Sequence, residues 1–246
     1  MTRTKLLSMV SAAALALAPI TALAQDKSGE NVQPTEPTAE VSAVGKVALA
    51  QDLFAHAQES KNAVAALAAA QIMQGVDAKD VEREKTTSDN EDMAGVTEEA
   101  AVMPKCSNNS SDGADAPMDA EAMLTAALEY AGGDPAVTGL IEDAQAEGSR
   151  GRIGGASRTL SRLPAGKIDL FKVPFYGGRF AELAVVGDGD ANLDLLVTDE
   201  NGNTICLDKT YTDKIYCSFT PAWDGYFLVA VANQGRKRNS YYILTN

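Results

Sequence analysis

Leu193-Asp194-Leu195-Leu196-Val197-Thr198-Asp199-Glu200-Asn201-Gly202-Asn203-Thr204-Ile205-Cys206-Leu207 is the stretch that decides the fold class. Two short aliphatic runs flank Asn201-Gly202, the strongest short-range hairpin signal, and the pair predicts a type I′ turn with positive φ at both central residues. The same period of two continues outward. It predicts further strands over residues 168–175, 180–186, 215–220, 226–232 and 241–245. Turn chemistry separates them at Tyr176-Gly177-Gly178, Pro221-Ala222-Trp223-Asp224-Gly225 and Asn233-Gln234-Gly235. Seven short strands with this spacing predict an all-β antiparallel jelly roll or β-sandwich over residues 164–246.

Upstream the texture is helical. Val47, Ala50, Leu53, Phe54 and Ala57 share one face, and Val64, Leu67, Ala68 and Ile72 form a second set ending at Gly75. These predict a helical pair over 44–76. A second pair is predicted over 118–148, with Met123, Leu124, Ala127, Leu128 and Ala131 on one face and Val137, Leu140, Ile141 and Ala144 on the next. Between them, Gly132-Gly133-Asp134-Pro135 reads as helix stop, turn, N-cap and first-turn proline. Either pair alone is close to the size at which a core fails, so the economical arrangement packs all four helices together. The chain as a whole is thus α+β: a small all-α N-terminal unit followed by the all-β domain.

Three segments carry no period. Residues 25–43 read as a disordered leader, 77–117 as an acidic disordered segment, and 149–163 as an Arg/Gly linker. Arg150, Arg152, Arg158 and Arg162 in that linker also suit a contact with the acidic segment. Residues 1–24 read as a signal peptide: Arg3 and Lys5, an apolar run to Leu23, and Ala22-Leu23-Ala24 at the cleavage point. Cleavage there predicts a periplasmic or secreted protein without membrane insertion. Removing Arg3 and Lys5 takes the net charge from −13 to −15. That sign argues against nucleic acid as a partner, since phosphate needs Lys and Arg to neutralise it.

Residues 185–203, from Val185-Val186-Gly187-Asp188-Gly189-Asp190 through Asn201-Gly202-Asn203, resemble the centre of bacterial pre-peptidase C-terminal domains. Phe219-Thr220-Pro221-Ala222-Trp223-Asp224-Gly225-Tyr226-Phe227 and Val231-Ala232-Asn233 resemble that family's last strands. The resemblance covers residues 164–246. It implies a jelly-roll-like sandwich of secreted proteins that serves secretion, stability or substrate engagement, and related collagen-binding modules bind calcium. Here the preceding part is Ala-rich helix rather than a protease.

The residues offer little catalytic inventory. His56 is the one histidine, and the chain has no Gly-x-Ser-x-Gly elbow, His-Glu-x-x-His, P-loop or Gly-x-Gly-x-x-Gly. A non-enzymatic reading follows, with a carboxylate-dependent hydrolase or a self-associating structural protein as alternatives. Asp188, Asp190, Asn192 and Asp194 alternate, so extended backbone puts four oxygen donors on one side, a set suited to calcium. They do not make an EF-hand, which needs Gly at the position of Leu193 and Glu at that of Asp199. The same residues also suit a turn that caps its own backbone. Cys206 and Cys217 predict a disulfide worth about 2–3 kcal/mol, although Cys206 alternates with polar Thr204 and Asp208. Cys106 is left over. The expected ligand is a protein, peptide or glycan, with Trp223 and the tyrosines of the last third as a recognition face or as packing.

Overall fold

The computed structural model describes residues 27–35, 41–89, 116–147 and 153–246. The signal-like segment, Cys106, Arg150 and Arg152 lie outside these.

Helices α1 (Ala43–Ser60) and α2 (Ala63–Gln74) come first, then strands β1 (Val76–Asp80) and β2 (Lys85–Asp89). Helices α3 (Ala120–Ala131) and α4 (Pro135–Glu147) follow. The remaining strands are β3 (Ile153–Leu163), β4 (Lys167–Phe175), β5 (Ala181–Gly187), β6 (Leu193–Thr198), β7 (Thr204–Asp208), β8 (Lys214–Phe219), β9 (Gly225–Asn233) and β10 (Asn239–Thr245).

Each helix starts where a short polar side chain takes up an orphan N–H. Ser42 Oγ accepts from Gly45 N at 3.1 Å, Asn62 Oδ1 from Ala65 N at 3.0 Å, and Asp119 Oδ1 from Ala122 N at 2.9 Å. Asp134 caps α4 through Ala136 N at 2.9 Å, just ahead of Pro135. Gly132 ends α3 in the left-handed region at φ 59°, the conformation a missing Cβ permits. Phe54, Leu67, Met123, Leu124 and Ile141 form one buried cluster to which all four helices contribute.

The strands form two five-stranded sheets, ordered β1-β3-β10-β5-β8 and β2-β4-β9-β6-β7. Every pairing is antiparallel except β1 with β3. The sheets face each other across a core in which Phe175, Phe219 and Phe227 pack edge-on or tilted at 4.8–5.6 Å between ring centroids. Helix α1 lies on the other face of the first sheet, where Val44 and Val47 meet Ala184, Val186 and Leu244. The order is therefore helices, sheet, sheet.

Three non-periodic segments turn out to be ordered where the structure describes them. Residues 27–35 lie against the sandwich. Residues 76–89, all but Val76 read as acidic disorder, supply β1 and β2. Residues 153–163, read as linker, form β3, which sits between β1 and β10. The last two share a physical reason. Ser157, Thr159 and Ser161 of β3 bond the cations of the neighbouring segment, so the strand lacks an apolar alternation. Arg83 donates to Thr159 Oγ1 at 2.6 Å and to Ser157 Oγ and Thr245 Oγ1 at 2.8 Å. Lys85 Nζ donates to Ser161 Oγ at 2.7 Å and to both oxygens of Asp169 at 2.8 and 2.9 Å. Asp169 has no exposed surface, and Thr87, Ser161 and Tyr241 also donate to it. Among the described residues the expected contact between the arginine segment and the acidic one is seen where Arg158 Nε lies 2.7 Å from Asp80 Oδ1.

The hairpin at Asn201-Gly202 differs from the expected type I′. Only Gly202 has positive φ, 87°, and its N–H bonds Asp199 O, so Glu200 and Asn201 are the central residues of the turn. A left-handed glycine after such a turn makes a bulged hairpin, and the register slips between Val197 and Thr198.

Breaking a buried ion pair from one side leaves the other charge uncompensated. Lys85→Met should therefore lower the unfolding free energy by about 3 kcal/mol in urea titration. Asp169→Asn combined with it should recover part of that loss, because the orphan charge is then gone.

Candidate functional site

The acidic loop joins β5 to β6 and is held by its own backbone, by β10 and by Asp213. Asp188 Oδ1 accepts from Asp190 N at 3.1 Å, and Asp188 Oδ2 accepts from Ser240 N at 2.8 Å. Asn192 Nδ2 donates to Asp194 Oδ1 at 3.2 Å, and Lys237 Nζ approaches Asp190 at 4.0 Å. Among the described residues no group of three or more His, Cys, Asp or Glu is arranged to hold a metal ion. Among the described residues, Asn192 Oδ1 and Asn239 Oδ1 nonetheless stand buried without a hydrogen-bond partner. Burial pushes the Asp188 and Asp194 carboxyls above their ordinary range. Beneath the loop, Asp213 accepts from Gly189 N at 2.6 Å, Asn239 Nδ2 at 3.0 Å and Lys214 Nζ at 2.8 Å. A Cβ on Gly187 would overlap the Asp213 carboxylate, so glycine is needed there for close approach.

The Asn201-Gly202 turn holds the N-terminal arm. Asn201 Nδ2 donates to Lys27 O at 2.7 Å and Gly29 O at 2.8 Å. Asn31 is fully buried: its N–H donates to Asp199 Oδ2 at 2.8 Å, and its Oδ1 accepts from Trp223 N at 3.0 Å. Trp223 Nε1 donates to Glu200 at 2.6 Å, and Gln33 N donates to Thr220 O at 2.9 Å. Burial pulls the Asp199 carboxyl upward, but the Asn203 amide and the N–H groups of Asn31, Asn203 and Asn201 outweigh it and hold the group below its usual range. Nothing in the polar leader sequence marks Asn31 as the buried residue.

Ser161 Oγ and Lys85 Nζ, 2.7 Å apart, have the spacing of a nucleophile and its base. The surroundings remove that chemistry. Lys85 is committed to both Asp169 oxygens, Ser161 Oγ donates to the same carboxylate at 2.5 Å, and Ser161 is only 3% exposed. Burial, then the nearby Asp169 charge, pushes the Tyr241 phenol well up. The cluster pins the two sheets together. His56 sits exposed on α1.

Cys206 and Cys217 are bonded, with Cα atoms 6.3 Å apart. Cys206 pairs in register with Val197 and Cys217 with Leu183, both core residues, so both sulfurs face inward despite the polar neighbours of Cys206. Of the aromatic residues considered for recognition, Trp223 and Tyr241 are buried, Tyr216 donates to Glu182 at 2.5 Å, and Tyr211 stands 95% exposed. They do not form one platform.

Sequence reasoning did not find one concavity of the fold. A cleft of about 680 Å³ opens between the helices and the first sheet. Val47, Met73, Leu124, Val186, Tyr242 and Leu244 give it an apolar lining, with Gln51, Gln74 and Gln145 among them. Asp77, Asp119, Glu121 and Arg158 supply its charges. Its walls come from elements far apart in the chain, which is why no local pattern announced it. No family model matches this chain, and no curated protein matches it. Among the described residues no helix is long and apolar enough to cross a membrane.

The Asp199 carboxyl titrates lower folded than unfolded, so its stabilising contribution is present above pH about 4 and is lost as pH falls through the folded value. Asp199→Ala should therefore be less stable at neutral pH and show a flatter acid limb in denaturation measured from pH about 5 downward.

Proposed function

We propose that this chain is an exported, non-enzymatic binding protein: a pre-peptidase-C-terminal-like jelly-roll sandwich whose helical layer walls a ligand cleft. The observation that carries the reading is the cleft itself. Its volume falls in the range of small-molecule sites, roughly 300–1,000 Å³, and such sites favour the junction between structural units. Export is supported by the signal-like segment ending at Ala24 and by the Cys206–Cys217 bond, which suits an oxidising compartment. The non-enzymatic reading is supported by the commitment of Ser161, Lys85 and Asp169 to one another and by the exposed position of His56. A neutral apolar fluorophore, N-phenylnaphthylamine, should bind the mature chain saturably at one site per molecule. Ala120→Trp, which fills the cleft from its rim, should abolish that binding while the circular dichroism spectrum stays unchanged. Non-saturable uptake, or binding that ignores Ala120→Trp, would sink this reading.

A second reading is favoured by the orphan oxygens of Asn192 and Asn239 beside the desolvated Asp188 and Asp194 carboxyls. A calcium ion there would satisfy oxygens and neutralise buried charge, so the sandwich would be calcium-conditioned. Calcium at about 100 times its dissociation constant should add about 2.7 kcal/mol and raise the melting midpoint by several degrees relative to EDTA. Asp190→Ala should remove the response. Coincident melting curves would leave the loop as a turn that caps its own backbone.

A further inference from the structure

We propose that Asn201 is a modification site governed by the N-terminal arm. With the arm docked its side chain stays an amide; with the arm off it cyclises on Gly202 and becomes a carboxylate that no longer holds the arm.

Asn201-Gly202 is the one Asn-Gly step of the chain. An asparagine amide carbon lies within reach of the next residue's main-chain nitrogen, and glycine, lacking a Cβ, crowds that attack least. Gly202 N gives its proton to solvent base and bonds Asn201 Cγ, while the Cγ–Nδ2 bond breaks and Nδ2 leaves as ammonia. Water then opens the five-membered imide. Entry at Cγ leaves aspartate; entry at the main-chain carbonyl carbon leaves isoaspartate, whose backbone runs through Cβ and Cγ. The sequence is hydrolytic, with no change of oxidation state. Asn31, Asn192 and Asn203 precede Val32, Leu193 and Thr204, whose side chains obstruct the same attack.

The folded turn restrains both reacting groups. Gly202 N–H donates to Asp199 O at 3.1 Å, and the Asn201 main-chain N–H donates to Asp199 Oδ1 at 2.9 Å. Asn201 Nδ2 donates to Lys27 O at 2.7 Å and to Gly29 O at 2.8 Å. Ring closure must turn the amide off those two carbonyls, so a docked arm opposes it. Asn201 is otherwise exposed, and water reaches it.

The product cannot repeat the amide's contacts. A carboxylate has no hydrogen to donate, so Lys27 O and Gly29 O would each face an acceptor. Lys27 Nζ is directed at Asp224 O, 3.1 Å away. Conversion thus turns two attractive contacts into two repulsive ones at the start of the arm.

The test follows the peptide containing Asn201 by mass spectrometry, with isoaspartyl methyltransferase labelling, while the mature chain is held in mildly alkaline buffer. Conversion in the folded chain should be at least about ten-fold slower than in urea that unfolds it, because reaction tracks the population of the open form. Asn31→Ala, which empties the arm's buried anchor, should recover most of that difference. Gln33→Pro removes the N–H donated to Thr220 O at an exposed position, and should do the same without emptying a buried one. Asn203 in the same peptide should stay an amide throughout. Asn201→Asp should make trypsin cleavage after Lys27 several-fold faster than in the parent chain. Equal conversion in folded and unfolded chains would overturn the protection. Full protection retained in both arm variants would overturn the arm's part in it. Unchanged cleavage after Lys27 in Asn201→Asp would overturn the loss of hold.

Discussion

Asp169 is a carboxylate without exposed surface, and an isolated charge in such a place costs far more than any single contact returns. The fold accommodates it by bringing Lys85 from a segment more than eighty residues earlier, together with hydroxyls from the same strand and two others. Much of the architecture follows from that requirement. Lys85 must arrive on a strand, so β2 forms on the edge of β4. Arg83 must find acceptors, so β3 turns its hydroxyl face inward and becomes a full member of the first sheet. The two sheets are thereby joined through polar atoms at one edge, while phenylalanines fill the space between them.

The parts of the fold legible in the sequence are those in which apolar side chains repeat. All seven expected strands of the last third are present within two residues at each end, because Phe171, Leu195 and Val229 and their neighbours alternate against one core. The turn between α3 and α4 was equally readable, since Gly132 and Asp134 act locally. What escaped was structure held by polar atoms. β3 carries Ser and Thr where a pattern reader wants Val and Ile, and the N-terminal arm is held through Asn31 and main-chain groups. One clue was present: Asp169 shares the parity of Phe171, Val173 and Phe175, which marks an acid on a core-facing position and so demands a buried partner.

The candidate sites divide the same way. The alternating Asp188, Asp190, Asn192 and Asp194 are a local pattern, and the structure shows them mostly occupied with capping backbone and one another. The cleft is a product of packing. Its apolar residues each read as ordinary core of a helix or strand, and only the stacking of helices on the first sheet leaves them facing a shared space. Distant elements thus supply the more open site, and the loop supplies the more crowded one.

The two edges of the sandwich are closed by different chemistry. On one, β7 and β8 are tied by a covalent bond between sheets; on the other, β1 to β4 meet through ammonium, guanidinium, carboxylate and hydroxyl groups. The molecule resembles a book with a sewn spine and an ionic clasp. The spine parts only if a covalent bond is broken, whereas the clasp is held by contacts that can separate. Because the strands forming the clasp are continuous with α2 and the chain that leads to α3, loosening that edge also loosens the wall of the cleft.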